Sequence, residues 1–313
     1  MTSRIPVLCL LALVWLVWIP LAGAAPGGTS GTLRVCLDEN IPPLSSKREN
    51  EAHGFDLAVA QAVASRLGRE IAIQWFKSEM DKDSNPASEA NALLSDGRCH
   101  LVAGFPLFAS ALGEPKAKRS KLPDFEGARL EDRRRWVPLN EIIASRGYRF
   151  APLVVVLGAR MASRQVSSLG DLKDWTLVSE EGTLADAALM TYGGGILIGR
   201  ITHVAPGPAL FEEMEKGDYD ASLVELHRLD AYRAQHPDSK LSSSGHYHSI
   251  GFNSGFVGLS SEAPLIAEVN AAIGEMLAKQ KMPAIAQAAG LTYLPPRQPD
   301  VLTTISRAQL RDD

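Results

Sequence analysis

Apolar and polar positions follow two rhythms along the chain, and the clearest passage runs from Leu33 to Leu67. Leu33-Arg34-Val35-Cys36-Leu37 is a short apolar run that predicts a buried strand. Asp38-Glu39-Asn40-Ile41-Pro42-Pro43 follows as a polar loop with two prolines. After Gly54, the residues Phe55, Val59, Val63 and Leu67 recur every four positions, which predicts a helix with one stripe facing a core. Asp56 stands at the helix start, where a carboxylate can take unpaired N–H groups. Gly68 stands where a left-handed cap residue is wanted. Residues 71–76, Ile-Ala-Ile-Gln-Trp-Phe, predict a second strand and close a right-handed βαβ unit. Ligands on such sheets bind beyond the carboxyl ends of the strands, here the loop over 38–44.

The same two rhythms continue. A helix is predicted over 87–94 and a strand over 100–104, with Phe105-Pro106-Leu107 at the carboxyl end of that strand. Residues 108–146 are rich in charge (Lys116, Lys118, Arg119, Lys121, Arg129, Arg133, Arg134, Arg135) and lack clean periodicity. They read as a solvated insertion, because a basic run without interleaved aromatics is a weak sign of nucleic acid. The strand over 153–157 carries the chain out of the first lobe. Strands over 176–178, 202–204 and 220–224 then alternate with helices over 184–192, 210–216 and 225–235. A strand over 252–259 and helices over 264–279 and 283–289 suggest a return to the first lobe. Residues 295–313 read as a loose tail. Strands and helices alternating twice over predict an α/β protein of two lobes.

Composition narrows the class. The chain has 313 residues, a formal net charge of −4 and a mean hydropathy of −0.03. That describes an ordinary soluble globular protein with no basic excess for nucleic acid. The N-terminus departs from this. Arg4 precedes an apolar run over 5–21, then Ala22-Gly23-Ala24, the layout of a signal peptide cut after Ala24. A membrane anchor is the rival reading, but the run is at the lower limit of a span and Pro20 interrupts its end. Cys9 lies too early in the run to attach a lipid. The mature chain is expected to be exported to the periplasm, with Cys36 and Cys99 its remaining cysteines.

Several pieces, in order, carry a family likeness: Leu33-Arg34-Val35 with Pro42-Pro43, Gly54-Phe55-Asp56, residues 97–104, Ser168-Leu169-Gly170-Asp171-Leu172, Gly182-Thr183, residues 217–225 and the helices over 264–290. The chain resembles the extracellular solute-binding proteins of ABC importers, in the family-3 group that includes polar amino-acid binders. The resemblance implies an α/β, two-lobe periplasmic-binding-protein fold (type II) with a hinge of two crossover strands. Lobe 1 would hold residues 32–157 and 250–294, and lobe 2 residues 158–249. It implies a monomer that closes on a small-molecule solute and delivers it to a membrane ABC permease, with no catalysis, cofactor or metal. Glu39, Phe105, Tyr148, Thr183 and Glu225 are the expected ligand-binding residues. Two cysteines in an oxidising compartment suggest one disulfide, and the resemblance puts Cys36 and Cys99 on neighbouring strands; two buried free thiols are the alternative. The contexts of Cys36 and Cys99 also look like a subgroup associated with quinoprotein dehydrogenases.

The departures from the family pattern bear on the ligand. The family places an arginine after the third strand to clamp a carboxylate, with bidentate geometry. Here Phe105-Pro106-Leu107 occupies that segment, and Arg119 is the nearest rough candidate. Where the family has an aromatic ring in the first loop, this chain has Leu44. Gly182-Thr183 stands before a helix, where free N–H groups and the Thr183 hydroxyl could hold an anion. Glu225 takes the place of an acid that receives an ammonium group, or else caps a helix. By subtraction, the sequence predicts a solute that is not held as a plain α-amino acid. His246-Tyr247-His248 offers two metal ligands, too few for a site. An accessory role docking a periplasmic dehydrogenase and a dehydratase-type enzyme on the same fold are the alternatives to transport.

Overall fold

The computed structural model describes residues 31–48, 51–78 and 85–311. The expected signal peptide and its cleavage site lie outside the described residues. Among the described residues, no helix is long and apolar enough to cross a membrane.

One sheet of ten strands runs through the molecule. Its main strands are β1 (Leu33–Asp38), β2 (Ile71–Lys77), β3 (Leu101–Pro106), β4 (Arg149–Leu157), β5 (Leu177–Glu180), β6 (Ile201–Val204), β7 (Ala221–Glu225) and β8 (Ser242–Leu259). Their order is β6-β5-β7-β4-β8-β3-β1-β2, with Asp124–Phe125 beyond β2 and Ile142–Ala144 pairing β8. The helices are α1 (Phe55–Arg66), α2 (Pro86–Ser95), α3 (Leu184–Thr191), α4 (Ala209–Lys216), α5 (Leu226–Gln235), α6 (Ala263–Ala278), α7 (Lys281–Ala288) and α8 (Arg307–Arg311).

The two outer parts of the sheet form two lobes, each with a core on both faces. On β1 the strand period of two sends Leu33, Val35 and Leu37 into a cluster with α1, α6 and α7. Cys36 points the other way, into a cluster with α2. On β4 the alternation sends Leu153, Val155 and Leu157 toward α3, and Val154 and Val156 toward α4 and α5. Burial on both faces is why this strand reads as an unbroken apolar run. From Leu153 onward β4 already packs with second-lobe residues, earlier along the strand than the expected changeover at 157.

Two antiparallel strands, β4 and β8, join the lobes. β8 is 18 residues long, because its first half pairs with β4 in the second lobe and its second half with β3 in the first. Its polar first half, from Ser242 to Gly251, conceals it from a periodicity reading. Cys36 and Cys99 are bonded, with Cα atoms 5.6 Å apart. Cys36 is on β1, and Cys99 lies two residues before β3 rather than on it.

Two regions differ from expectation. The 108–146 region is not simply a solvated insertion. Leu122, Phe125, Val137 and Ile142 from it fill the α2 side of the first lobe, while Lys116, Lys118, Arg119, Arg129, Arg133, Arg134 and Arg135 are exposed. Residues 295–311 are not loose either; they are bonded along the hinge and end in α8, where Leu310 joins the second-lobe core.

Candidate functional site

β4 opens with a charged residue at the head of an apolar strand. Arg149 is only 5 % exposed, yet its Nε has no hydrogen-bond partner. Nε lies 4.0 Å from Asp56 Oδ1, an ion-pair distance without a hydrogen bond. A guanidinium out of water needs both an opposite charge and hydrogen bonds to offset its desolvation, and the Arg149 Nε has only the first.

Asp56 sits in the first turn of α1 and makes no cap to that helix. Its carboxylate is 3 % exposed and accepts the Tyr148 hydroxyl at 2.8 Å. The same hydroxyl accepts the Gly104 N–H at 2.6 Å. Burial pushes the Asp56 carboxyl above its ordinary range, against the pull of Arg149 and the Tyr148 hydrogen bond. Burial and the Asp56 charge likewise push the Tyr148 hydroxyl up. Gly104 has φ +73°, and a Cβ there would stand 2.6 Å from Asp56 Oδ2. Only glycine lets β3 pass this close to the carboxylate.

The second lobe faces Arg149 with the end of β7 and the start of α5. Glu225 Oε2 is 3.4 Å from His227 Nδ1, which is buried and has no hydrogen-bond partner. Burial, with the charges of Arg149 and Arg228, pushes His227 down to about 3, so its ring is neutral. Burial raises the Glu225 carboxyl, and the same two arginines oppose it. The Arg149 charge therefore bears on Asp56 in one lobe and on Glu225 and His227 in the other.

Thr183 caps α3: its hydroxyl accepts the Asp186 N–H at 3.1 Å and donates to the Glu180 carbonyl at 2.9 Å. The nearby N–H groups are also taken, Gly182 by the Asp186 carboxylate and Thr183 by the Glu180 carbonyl. The expected free anion cradle at this helix start is thus already satisfied from within. Glu180 is itself held by both terminal nitrogens of Arg228 and by the Gly207 N–H. Thr183, Glu225, Glu180 and Arg228 line a cavity of about 70 Å³.

The expected site residues therefore fall into separate places. Thr183 and Glu225 share the second-lobe cavity. Tyr148 adjoins Arg149 and supports Asp56. Phe105 and Leu107 are buried in the α2-side core, so they form no exposed apolar wall. Glu39 lines a different cavity of about 310 Å³ with Lys47, Lys77, Glu126 and Arg133, at the carboxyl ends of β1 and β2. Arg119 lies over the Trp136 ring, 5.2 Å from its centre, on a surface hairpin. His248 is buried, with Nδ1 accepting the Ile250 N–H at 3.0 Å, and the described residues contain no metal-binding cluster. Sequence reasoning missed Arg149, His227 and Arg228, and gave Asp56 a capping role. The signal for Arg149 was a charged residue directly ahead of Phe150-Ala151-Pro152-Leu153-Val154.

By sequence the chain matches no known protein family and no curated protein. Among solved structures it is similar to a substrate-binding domain of an amino-acid ABC transporter from Streptococcus pneumoniae (17% identity, 83% of this chain and 100% of that one, TM-score 0.60). Similar too is substrate-binding domain 2 of GlnP from Lactococcus lactis in an open conformation (13% identity, 82% and 94%, TM-score 0.60). The L-cystine solute receptor of Neisseria gonorrhoeae, unliganded and open, is similar at 17% identity over 83% and 93% of the chains, with a TM-score of 0.57. At these identities the likeness establishes architecture: the chain has the two-lobe α/β fold of the periplasmic binding proteins, with Arg149 at its crossover.

Proposed function

We propose that the chain is an exported solute-binding protein that closes its lobes on a small, amino-acid-like solute and presents it to the permease of an ABC importer. The observation that carries this reading is Arg149. It is a buried guanidinium at the crossover whose Nε makes no hydrogen bond, between a carboxylate of each lobe. A ligand carboxylate would supply the hydrogen-bond partner its Nε lacks, and Glu225 would receive an ammonium group from the second lobe. The expectation that the solute is not a plain α-amino acid rested on the want of a first-lobe arginine. On this reading Arg149 would fill that want from β4, not from the segment after β3, and the argument by subtraction would lapse. The three structural relatives, all named as substrate-binding domains or solute receptors, support the class of function.

A specific feature favours the runner-up, an accessory protein that docks a periplasmic dehydrogenase with an empty cleft. The second-lobe cavity is about 70 Å³, below the usual range for ligand sites. A thermal-shift screen separates the two. A ligand at 100 times its dissociation constant adds about 2.7 kcal/mol of stability. A rise in melting temperature with an amino acid or related amine-carboxylate, absent in Arg149→Ala, supports transport. No rise with any such compound supports the accessory reading.

A further inference from the structure

The C-terminal segment touches the two lobes in alternation. After α7, Thr292 donates through its N–H and its hydroxyl to the Asp230 carboxylate of α5, at 2.7 and 2.9 Å, in the second lobe. Leu294 then accepts the Phe150 N–H at 2.9 Å, beside the crossover. The Asn253 side chain, on β8, donates to the carbonyls of Arg297, Pro299 and Asp300 and accepts the Arg297 N–H. The Arg297 guanidinium lies over the Phe150 ring, 4.0 Å from its centre. Leu302 next bonds the first lobe, donating to the Leu107 carbonyl at 2.8 Å and accepting the Ala109 N–H at 2.9 Å. Finally α8 returns to the second lobe. Ile305 and Leu310 pack against its core, and the Thr191 hydroxyl at the end of α3 lies 3.0 Å from the Leu310 carbonyl and 2.6 Å from the Ala187 carbonyl of its own helix.

We propose that residues 295–311 are a strap that limits how far the two lobes open, with α8 as its releasable end. The two final anchors, Leu302 on the first lobe and α8 on the second, are joined by a short connection. Five Cα steps separate Leu302 from Arg307, a reach of at most roughly 17 Å. A hinge motion that moved α3 away from the Leu107–Ala109 region would exhaust that reach or pull α8 off α3. The two ends are unequal. The Asn253 side chain binds the strap through four hydrogen bonds at a residue 4 % exposed. α8 is five residues long and, besides Leu310, mostly exposed. Release therefore falls at α8. This inference does not depend on the identity of any solute.

The test is an interlobe distance measured by paired spin labels without ligand. Lys279 on the first lobe and Lys216 on the second are 60 % and 61 % exposed, and their pairings are surface ones. Lys279→Cys with Lys216→Cys, in a Cys9→Ser background, places the labels, since Cys36 and Cys99 are bonded to each other. Leu310→Ser removes the packing of α8, and Thr191→Val removes the hydroxyl shared between the Leu310 and Ala187 carbonyls. The strap predicts a distance distribution shifted to longer values and broadened in Leu310→Ser. Thr191→Val should shift it the same way by less. Hydrogen exchange at α8 reports whether it has been released. An unchanged distribution with α8 released overturns the proposal.

Discussion

His227 and Asp56 are polar residues set inside the protein by their neighbours, and both bear on how it responds to pH. The folded protein holds His227 neutral, with its pKa down at about 3, while the unfolded chain takes up a proton near the ordinary imidazole value of about 6.5. The unfolded state therefore binds more protons between those values. The contribution of His227 is intact above about pH 6.5 and is lost as the pH falls toward 3, at most on the order of 5 kcal/mol. Asp56 and Glu225 act in the opposite sense. Their raised values mean that the folded state keeps its protons longer, so their penalty eases as the pH falls. His227→Gln, compared with the parent by urea denaturation from pH 7 to pH 4, should flatten the acid loss. An equal slope in both proteins would place the acid sensitivity elsewhere. Gly104 allows a second test. Gly104→Ala combines the cost of φ +73° with a Cβ 2.6 Å from Asp56 Oδ2, whereas Gly97→Ala at φ +70° meets nothing within 4 Å. The αL cost alone is about 1–2 kcal/mol. Gly104→Ala should exceed Gly97→Ala in the same denaturation experiment, and equality would mean that Asp56 moves aside freely. Little of this was legible in the sequence. Asp56 at a helix start has a local reading as a cap, and only the chain's return 92 residues later, with Tyr148, gives it another partner.

At the scale of elements, most of the chain was legible because its cores lie on both faces of the sheet. The stripe Phe55, Val59, Val63 and the run over 153–157 each became the element they predict, α1 and β4. Legibility failed where the partner was distant. The first half of β8 is polar because it is a hinge strand flanked by β4, with no full core against it. The residues 108–146 hide four core side chains among surface charges. The last segment has no periodicity because its partners are the Asn253 side chain and the backbone of Leu107 and Ala109 more than an apolar face. The disulfide lies at this scale as well. Cys36 and Cys99 close a loop with a sequence separation of 63, and the chain-entropy account gives about 4 kcal/mol for such a loop. Reduction, or the pair Cys36→Ala with Cys99→Ala, should lower unfolding free energy by about that much. A loss under about 1 kcal/mol would mean that the α2-side core holds β1 and the Cys99 turn together unaided.

At the scale of the molecule, the fold puts a buried arginine whose Nε has no hydrogen-bond partner at the strand that joins the lobes. The lobes bring opposite sides to it: Asp56 and Tyr148 from the first, Glu225 and His227 from the second. Arg149 was hidden in the sequence because a crossover strand is recognised only once both lobes are in place. Its proposed role as the anion partner of a solute is the central claim. The most direct measurement is isothermal titration of the protein with the twenty amino acids, repeated for Arg149→Ala and Glu225→Ala. The account predicts saturable binding of at least one compound by the parent. It predicts that Arg149→Ala weakens that binding by at least about 2 kcal/mol, roughly thirtyfold in Kd, with a loss in Glu225→Ala as well. Binding that survives Arg149→Ala unchanged, or no binding of any of the twenty by the parent, would contradict it.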